Sequence, residues 1–149
     1  MGSTSRSGQW YVADLVLAID VRGDERSVTH VETLLVRATT PEDAYTAATH
    51  LGHEHEDEYE NPAGSRVCVK FLGVADLNAV GDVLEHGAEL CFAEHIGLTE
   101  SQQRGLVRPK GALGVFAERR PTDRPDYSSG EVFGEAVTLI RKMLPRKDG

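Results

Sequence analysis

Between Trp10 and Val21 the chain alternates with a period of two. Tyr11, Ala13, Leu15, Leu17, Ile19 and Val21 fall on one side; Trp10, Val12, Asp14, Val16, Ala18 and Asp20 fall on the other. Successive side chains of a strand point to opposite faces, so the first, uniformly apolar set predicts a long strand with that face toward a core. Arg22-Gly23-Asp24-Glu25-Arg26 is a polar, glycine-containing turn, after which Val28 to Ala38 alternates again. Here Val31, Thr33, Leu35 and Arg37 lie opposite Glu32, Leu34, Val36 and Ala38. Two strand-like runs joined by a short polar segment predict a hairpin.

The period changes at Thr40. Thr40 suits an N-cap, Pro41 the first helical position, and Glu42 and Asp43 the positive end of the helix dipole. Ala44, Ala47, Ala48 and Leu51 follow at i, i+3, i+4 and i+7, a narrow stripe of small residues that lets a helix lie close on a sheet. Gly52 either ends this helix or sits inside it at a cost of about 1 kcal/mol. Asn61-Pro62-Ala63-Gly64 has the chemistry of a β-turn. Arg66 to Leu72 reads as a third strand, with Val67, Val69 and Phe71 on one face and Gly73 as its end. Val74 to Leu84 reads as an irregular or short helical connection and Ala88 to His95 as a fourth strand. The expectation is an α+β fold, a mainly antiparallel sheet in β-β-α-β-β order with one helix packed on it.

Further on, Leu98 to Leu106 predicts a short helix opened by Thr99 and Gln102, and Ala112 to Ala117 an added strand. Glu118 to Ser129 reads as a linker. Ser128 and Glu131 then precede a C-terminal amphipathic helix with the stripe Val132, Phe133, Ala136, Val137, Ile140, Met143 and Leu144. The domain reading is a disordered N-terminus over 1–8, an α+β domain over 9–117, and a basic linker with C-terminal helix over 118–149.

Composition narrows the class. At 149 residues, 40% hydrophobic and 27% charged, the chain is in the range of one ordinary globular domain with a tail. No run approaches the roughly 20 apolar residues of a membrane span, and the polar start lacks a signal peptide's apolar centre, so a cytoplasmic location is expected. Cys68 and Cys91 lie in strand-like stretches without CxxC spacing and are expected as buried free thiols. The net charge of −8 divides into −12 through residue 100 and +4 beyond it. An acidic body repels nucleic acid and suits a basic protein partner, while the basic tail either folds against that body or meets an anion.

The candidate chemistry is sparse. His50, His53, Glu54, His55, Glu56, Asp57 and Glu58 form the richest cluster, and on a continued helix His50, His53 and Asp57 share one side as a metal-ligand trio. Zinc needs three or four converging ligands, and this is no HExxH pattern; a solvated acidic helix end accounts for the same residues. Neither GxSxG nor a glycine-rich phosphate loop occurs, so no catalytic residue and no cofactor are assigned. Trp10 and Tyr59 are aromatic candidates for a partner surface beside Glu54, Glu56, Asp57 and Glu58, Trp being favoured at interface hot spots. Arg119, Arg120 and Arg124 are the nucleic-acid candidates, with only Phe116 and Tyr127 interleaved as stacking groups.

Trp10-Tyr11-Val12-Ala13, the Ala38-to-Tyr45 step, Tyr59-to-Gly64, Phe71-Leu72-Gly73-Val74 and Gly87-Ala88-Glu89-Leu90 occur in one ordered set. In that set the chain resembles a bacterial family of uncharacterised proteins, domain of unknown function 4288, over roughly residues 9–116. The resemblance implies no activity. The functional expectation is therefore a non-enzymatic protein-interaction domain, of accessory or immunity type, with an acidic binding face and another protein as partner. Homodimerisation is left open by the free edges of a small sheet. The alternatives are a metal-dependent hydrolase built on the His50–Asp57 cluster and a nucleic-acid accessory protein using the basic tail.

Overall fold

The computed structural model describes residues 8–118 and 123–129. Four strands, β1 (Gln9–Val21), β2 (Val28–Ala38), β3 (Asp57–Glu60) and β4 (Arg66–Ala79), form one antiparallel sheet in the spatial order β2-β1-β4-β3. The helix α1 (Pro41–Glu54) joins β2 to β3, and a short helix α2 (Glu100–Gly105) follows the sheet. The fold is α+β, with one main helix on a four-stranded antiparallel sheet.

The predicted hairpin forms. Gln9 lies opposite Ala38 and Ile19 opposite Val28, and the turn between the strands is closed by Asp24 N–H donating to the Val21 carbonyl at 3.0 Å. Gly23 has φ of +90°, which glycine adopts without a steric cost. The expected inward set of β1 is buried throughout, from Tyr11 to Val21. Along β2 the outward residues Thr29, Val31, Thr33, Leu35 and Arg37 are all exposed.

The helix begins as its sequence dictates: Thr40 is extended, and its hydroxyl accepts the Asp43 N–H at 3.1 Å. Ala44 and Ala48 are fully buried against Tyr11, Ala13, Leu15, Leu17, Val36 and Phe71, with Ala47 and Leu51 packed around them. The stripe of small side chains is what brings the helix backbone close to the sheet. Gly52 lies inside the helix, where a Cβ would stand 2.4 Å from Cε1 of Phe71. Its glycine is required by close approach.

Three strand expectations are corrected. The strand from Arg66 does not stop at Gly73 but runs to Ala79. Its pairing with β1 slips twice: Leu17 faces Phe71 while Val16 faces Gly73, and Leu15 faces Val74 while Asp14 faces Asp76. Leu72 and Ala75 are the extra residues of two β-bulges, and each bulge reverses the alternation. Val69 and Phe71 therefore face the helix first, then Val74, then Leu77, all contributing to one core. Glycine at 73 marks a bulge and not an end. Ala88–His95 forms no strand and lies outside the sheet. The third strand in chain order is instead the short, acidic β3. Ala112–Ala117 likewise gives a 3-10 turn at Lys110–Ala112 followed by irregular chain. The short helix opened by Thr99 does form, with the capping box to Gln102 complete in both directions.

Cys68 and Cys91 are both exposed, which corrects the expectation of buried thiols. Cys68 alternates away from the buried Val67 on β4, and Cys91 lies outside the sheet altogether. The expected C-terminal helix lies outside the described residues.

One face of the sheet is covered in two halves. The helix covers the half around Tyr11 to Leu17, and residues 123–129 return to cover the other. There Tyr127 packs with Ile19, Val21, Val28, Tyr59, Val67 and Val69, and Pro125 is buried beside it. Part of the expected linker is thus packed on the sheet.

Candidate partner-binding surface

The acidic stretch that ends α1 and enters β3 is displayed at one margin of the sheet. Glu54 accepts from His50 Nε2 at 3.0 Å, one helical turn away. Glu56 bridges two elements: one oxygen meets His53 Nδ1 at 2.8 Å and the other accepts the Phe71 N–H of β4 at 3.3 Å. Those two hydrogen bonds, the one to His53 first, hold its carboxyl below the usual range. Asp57 accepts the N–H of Glu58 at 2.8 Å. Glu58 forms an ion pair with Arg66 at 3.0 Å across the β3–β4 ladder, which lowers its carboxyl and raises the Arg66 guanidinium. All of these groups are exposed to solvent, where ion pairs contribute little to holding the fold.

The three histidines diverge. His50 goes to Glu54 and His53 to Glu56, while His55 reaches Glu32 on β2 at 2.8 Å. His53 also stands edge-on to Phe71, with ring centroids 5.0 Å apart. Among the described residues no three His, Cys, Asp or Glu side chains converge as a metal-binding group, so His50, His53 and Asp57 are not brought together. Divergent pairing is what a solvated helix end produces, since each imidazole takes the nearest carboxylate.

Trp10 sits on the face of the sheet away from α1, half-exposed, with the guanidinium of its register partner Arg37 over its ring at 5.4 Å. Tyr59 lies elsewhere, in the second half of the covered face. Its hydroxyl donates to the carbonyl of Tyr127, and burial, reinforced by the charges of Asp57 and Asp126, pushes its ionisation upward. Tyr59 is therefore a structural latch for residues 123–129 more than an open contact. Arg124 belongs to the same latch: it donates to the Tyr127 hydroxyl at 2.7 Å and stands 5.1 Å over that ring. Arg119 and Arg120 lie outside the described residues.

Sequence reading missed the rest of the latch. Asn61 is the one buried polar side chain recorded among the described residues. Its amide donates to the Asp126 carbonyl at 2.8 Å, and its side-chain oxygen accepts from the Ser65 N–H at 2.8 Å. His30 of β2 meets Tyr127 edge-on at 5.3 Å. Asn61 carried a turn signal only, and a bond made across 65 residues of chain leaves no local pattern.

Residues 81–118 were not expected to be bare, yet none of them is buried. They display Val83, Phe92, Ile96, Val107, Val115 and Phe116 to solvent, with Phe92 at 76% and Ile96 at 89% exposure. Arg104, Val107, Arg108 and Pro109 line a shallow depression there.

The chain belongs to the family described as domain of unknown function (DUF4288), which it matches over residues 10–92. That match spans α1 and all of the sheet except Gln9. Neither the curated proteins nor the solved structures contain a match to the chain. No helix among the described residues is long and apolar enough to cross a membrane.

Proposed function

We propose that this chain is a non-enzymatic protein-interaction domain, of accessory or immunity type, that engages a basic protein in the cytoplasm of a bacterium. The observation that supports the reading is the run 81–118, which holds large apolar side chains in water with no residue of its own buried. Isolated apolar residues on a surface need no explanation, but a long segment with several of them and no core is built to be covered. The sign of the partner comes from the body, which carries −12 through residue 100 and exposes Glu54, Glu56, Asp57 and Glu58 at one margin. Complementary potential chiefly raises the association rate and fixes the choice of partner, so a basic surface is favoured.

The test is capture with the tagged full chain from nuclease-treated lysate, followed by direct titration of the captured protein. Reversing Glu54, Glu56, Asp57 and Glu58 to Lys is expected to weaken binding at least tenfold. An unchanged affinity removes the acidic face from the reading. Capture only without nuclease treatment would support the nucleic-acid alternative and its basic tail.

A further inference from the structure

The two edges of the sheet differ in a way that bears on self-association. An edge strand carries a row of unpaired backbone donors and acceptors, which proteins ordinarily blunt by shortening, charge, proline or bulges. The β3 edge is blunted: it has four residues, of which Asp57, Glu58 and Glu60 are acidic. Pairing β3 with a second copy of itself would set Glu58 against Glu58 when centred on Glu58, or Glu58 against Glu60 when centred on Tyr59. The β2 edge is less defended, with Glu32 and Arg37 as its only formal charges. It runs for eleven residues, Val28–Ala38, pairs in even register with β1, and contains no proline and no bulge.

We infer that β2 is a homodimer edge, on which a second copy of this chain pairs its own β2 antiparallel, two-fold symmetric about Thr33, to give a continuous eight-stranded sheet. The β2 sequence is self-complementary in this register. Val31 of each copy stands opposite Leu35 of the other, bringing together two exposed apolar pairs on the helix-free face, where Val31 is 60% and Leu35 43% exposed in the single chain. On the helix side Glu32 faces Leu34, His30 faces Val36 and Val28 faces Ala38, so no like charges are opposed.

Other symmetric registers fit less well. A two-fold axis normal to the sheet requires paired residues to share a face, which permits only shifts of two residues. A shift centred on Glu32 opposes two carboxylates, a destabilising pair. A shift centred on Leu34 puts Arg37 against Val31 and leaves the first two residues unpaired. The Thr33 register pairs all eleven residues and matches both apolar positions.

The test uses the full chain in sedimentation velocity over a wide concentration range. The wild type is expected at the mass of two chains. The double substitution Val31→Lys with Leu35→Lys, both at exposed positions, opposes like charges twice and is expected to shift the protein to one chain, weakening self-association at least tenfold. Val31→Lys with Leu35→Glu opposes unlike charges in the same register and is expected to restore the dimer. Register is read by cross-linking in a Cys68→Ser, Cys91→Ser background: Thr33→Cys is expected to form a disulfide between copies, whereas Thr29→Cys, facing Arg37, is not. A wild type that stays single-chain at every concentration overturns the inference. So does a dimer indifferent to the double lysine, or cross-linking at 29 in place of 33. Thermal melts confirm that each variant is folded. None of these substitutions touches the acidic margin, so loss of the dimer and loss of the basic-partner reading are separate results.

Discussion

At the residue scale, Gly52 shows how a single side chain's absence sets the distance between two elements. Glycine inside a helix costs about 1 kcal/mol relative to alanine, so an isolated helix would gain from Gly52→Ala. In the folded protein the new methyl collides with the Phe71 ring, whose nearest carbon would be 2.4 Å away. Overpacking of this kind typically costs about 1–3 kcal/mol, and Gly52→Ala is expected to destabilise by a net amount in the lower part of that range. Urea denaturation measures it, and a Phe71→Leu background should recover part of the loss. If Gly52→Ala alone is stabilising, the close helix–sheet contact is wrong.

Asp24 makes a second residue-scale case. Hydrogen bonds from Arg26 hold its carboxyl down to about 2 from an ordinary value of 3.8. A depressed carboxylate contributes stability that is present above its unfolded value and lost as pH falls through the folded value, here between about 4 and 2. Glu56 and Glu58 are depressed as well, so they add to the acid limb with the same sign. Stability is therefore expected to decline on acidification below the carboxylate range. An Asp24→Asn variant should show a shallower decline than wild type in pH-dependent thermal melts. Parallel curves would mean that the turn pair contributes nothing.

At the element scale, residues 123–129 are held by few but specific bonds. Asn61, Tyr59 and His30 come from three different strands or turns and converge on Asp126 and Tyr127. Asn61→Ala removes the buried amide that donates to the Asp126 carbonyl and the acceptor of the Ser65 N–H, a loss of about 1–3 kcal/mol. The expected outcome is a lower denaturation midpoint together with faster amide exchange in 123–129. Tyr59 gives the same element an alkaline signature. Its ionisation is raised by burial, so its contribution is complete below the ordinary tyrosine value of 10 and is lost as pH rises through the higher folded value. Unfolding followed above pH 10 should lose this limb in Tyr59→Phe; an identical alkaline profile would show that the hydroxyl is solvated in the folded state.

At the scale of the whole molecule, the split between a packed sheet and the bare run 81–118 governs what surface substitutions do. Phe92→Ser and Ile96→Ser remove side chains that are mostly in water, so each is expected to change stability by no more than about 0.5 kcal/mol. The same substitutions are expected to weaken partner binding severalfold. A large drop in melting temperature without a partner present would place these residues in a core and remove the support for the interaction reading. Because the acidic margin is solvated, binding through it should also weaken with ionic strength, as exposed charges are screened over about 8–10 Å at physiological salt.

What the chain's sequence determined by itself is what depends on near neighbours. The buried face of β1, the hairpin, the Thr40 cap, the alanine stripe and the Thr99 capping box all rest on period, propensity or bonds within four residues. The family was legible from short ordered pieces of sequence, of which Trp10–Ala13 and Ala38–Tyr45 lie in those elements. The divergence of the histidines followed from packing, because the chain turns into β3 just where a continued helix would have aligned His50, His53 and Asp57. Only the tertiary structure decided the rest. Gly73 reads as a stop until β1 lies beside it and absorbs the bulges. Ala88–His95 has strand composition but pairs with no neighbouring strand, and strand propensity counts only when a neighbour supplies the hydrogen bonds. Asn61 and Tyr127 meet across the fold, and whether an apolar residue such as Ile96 ends in a core or in water depends on surfaces that exist only once the chain has folded.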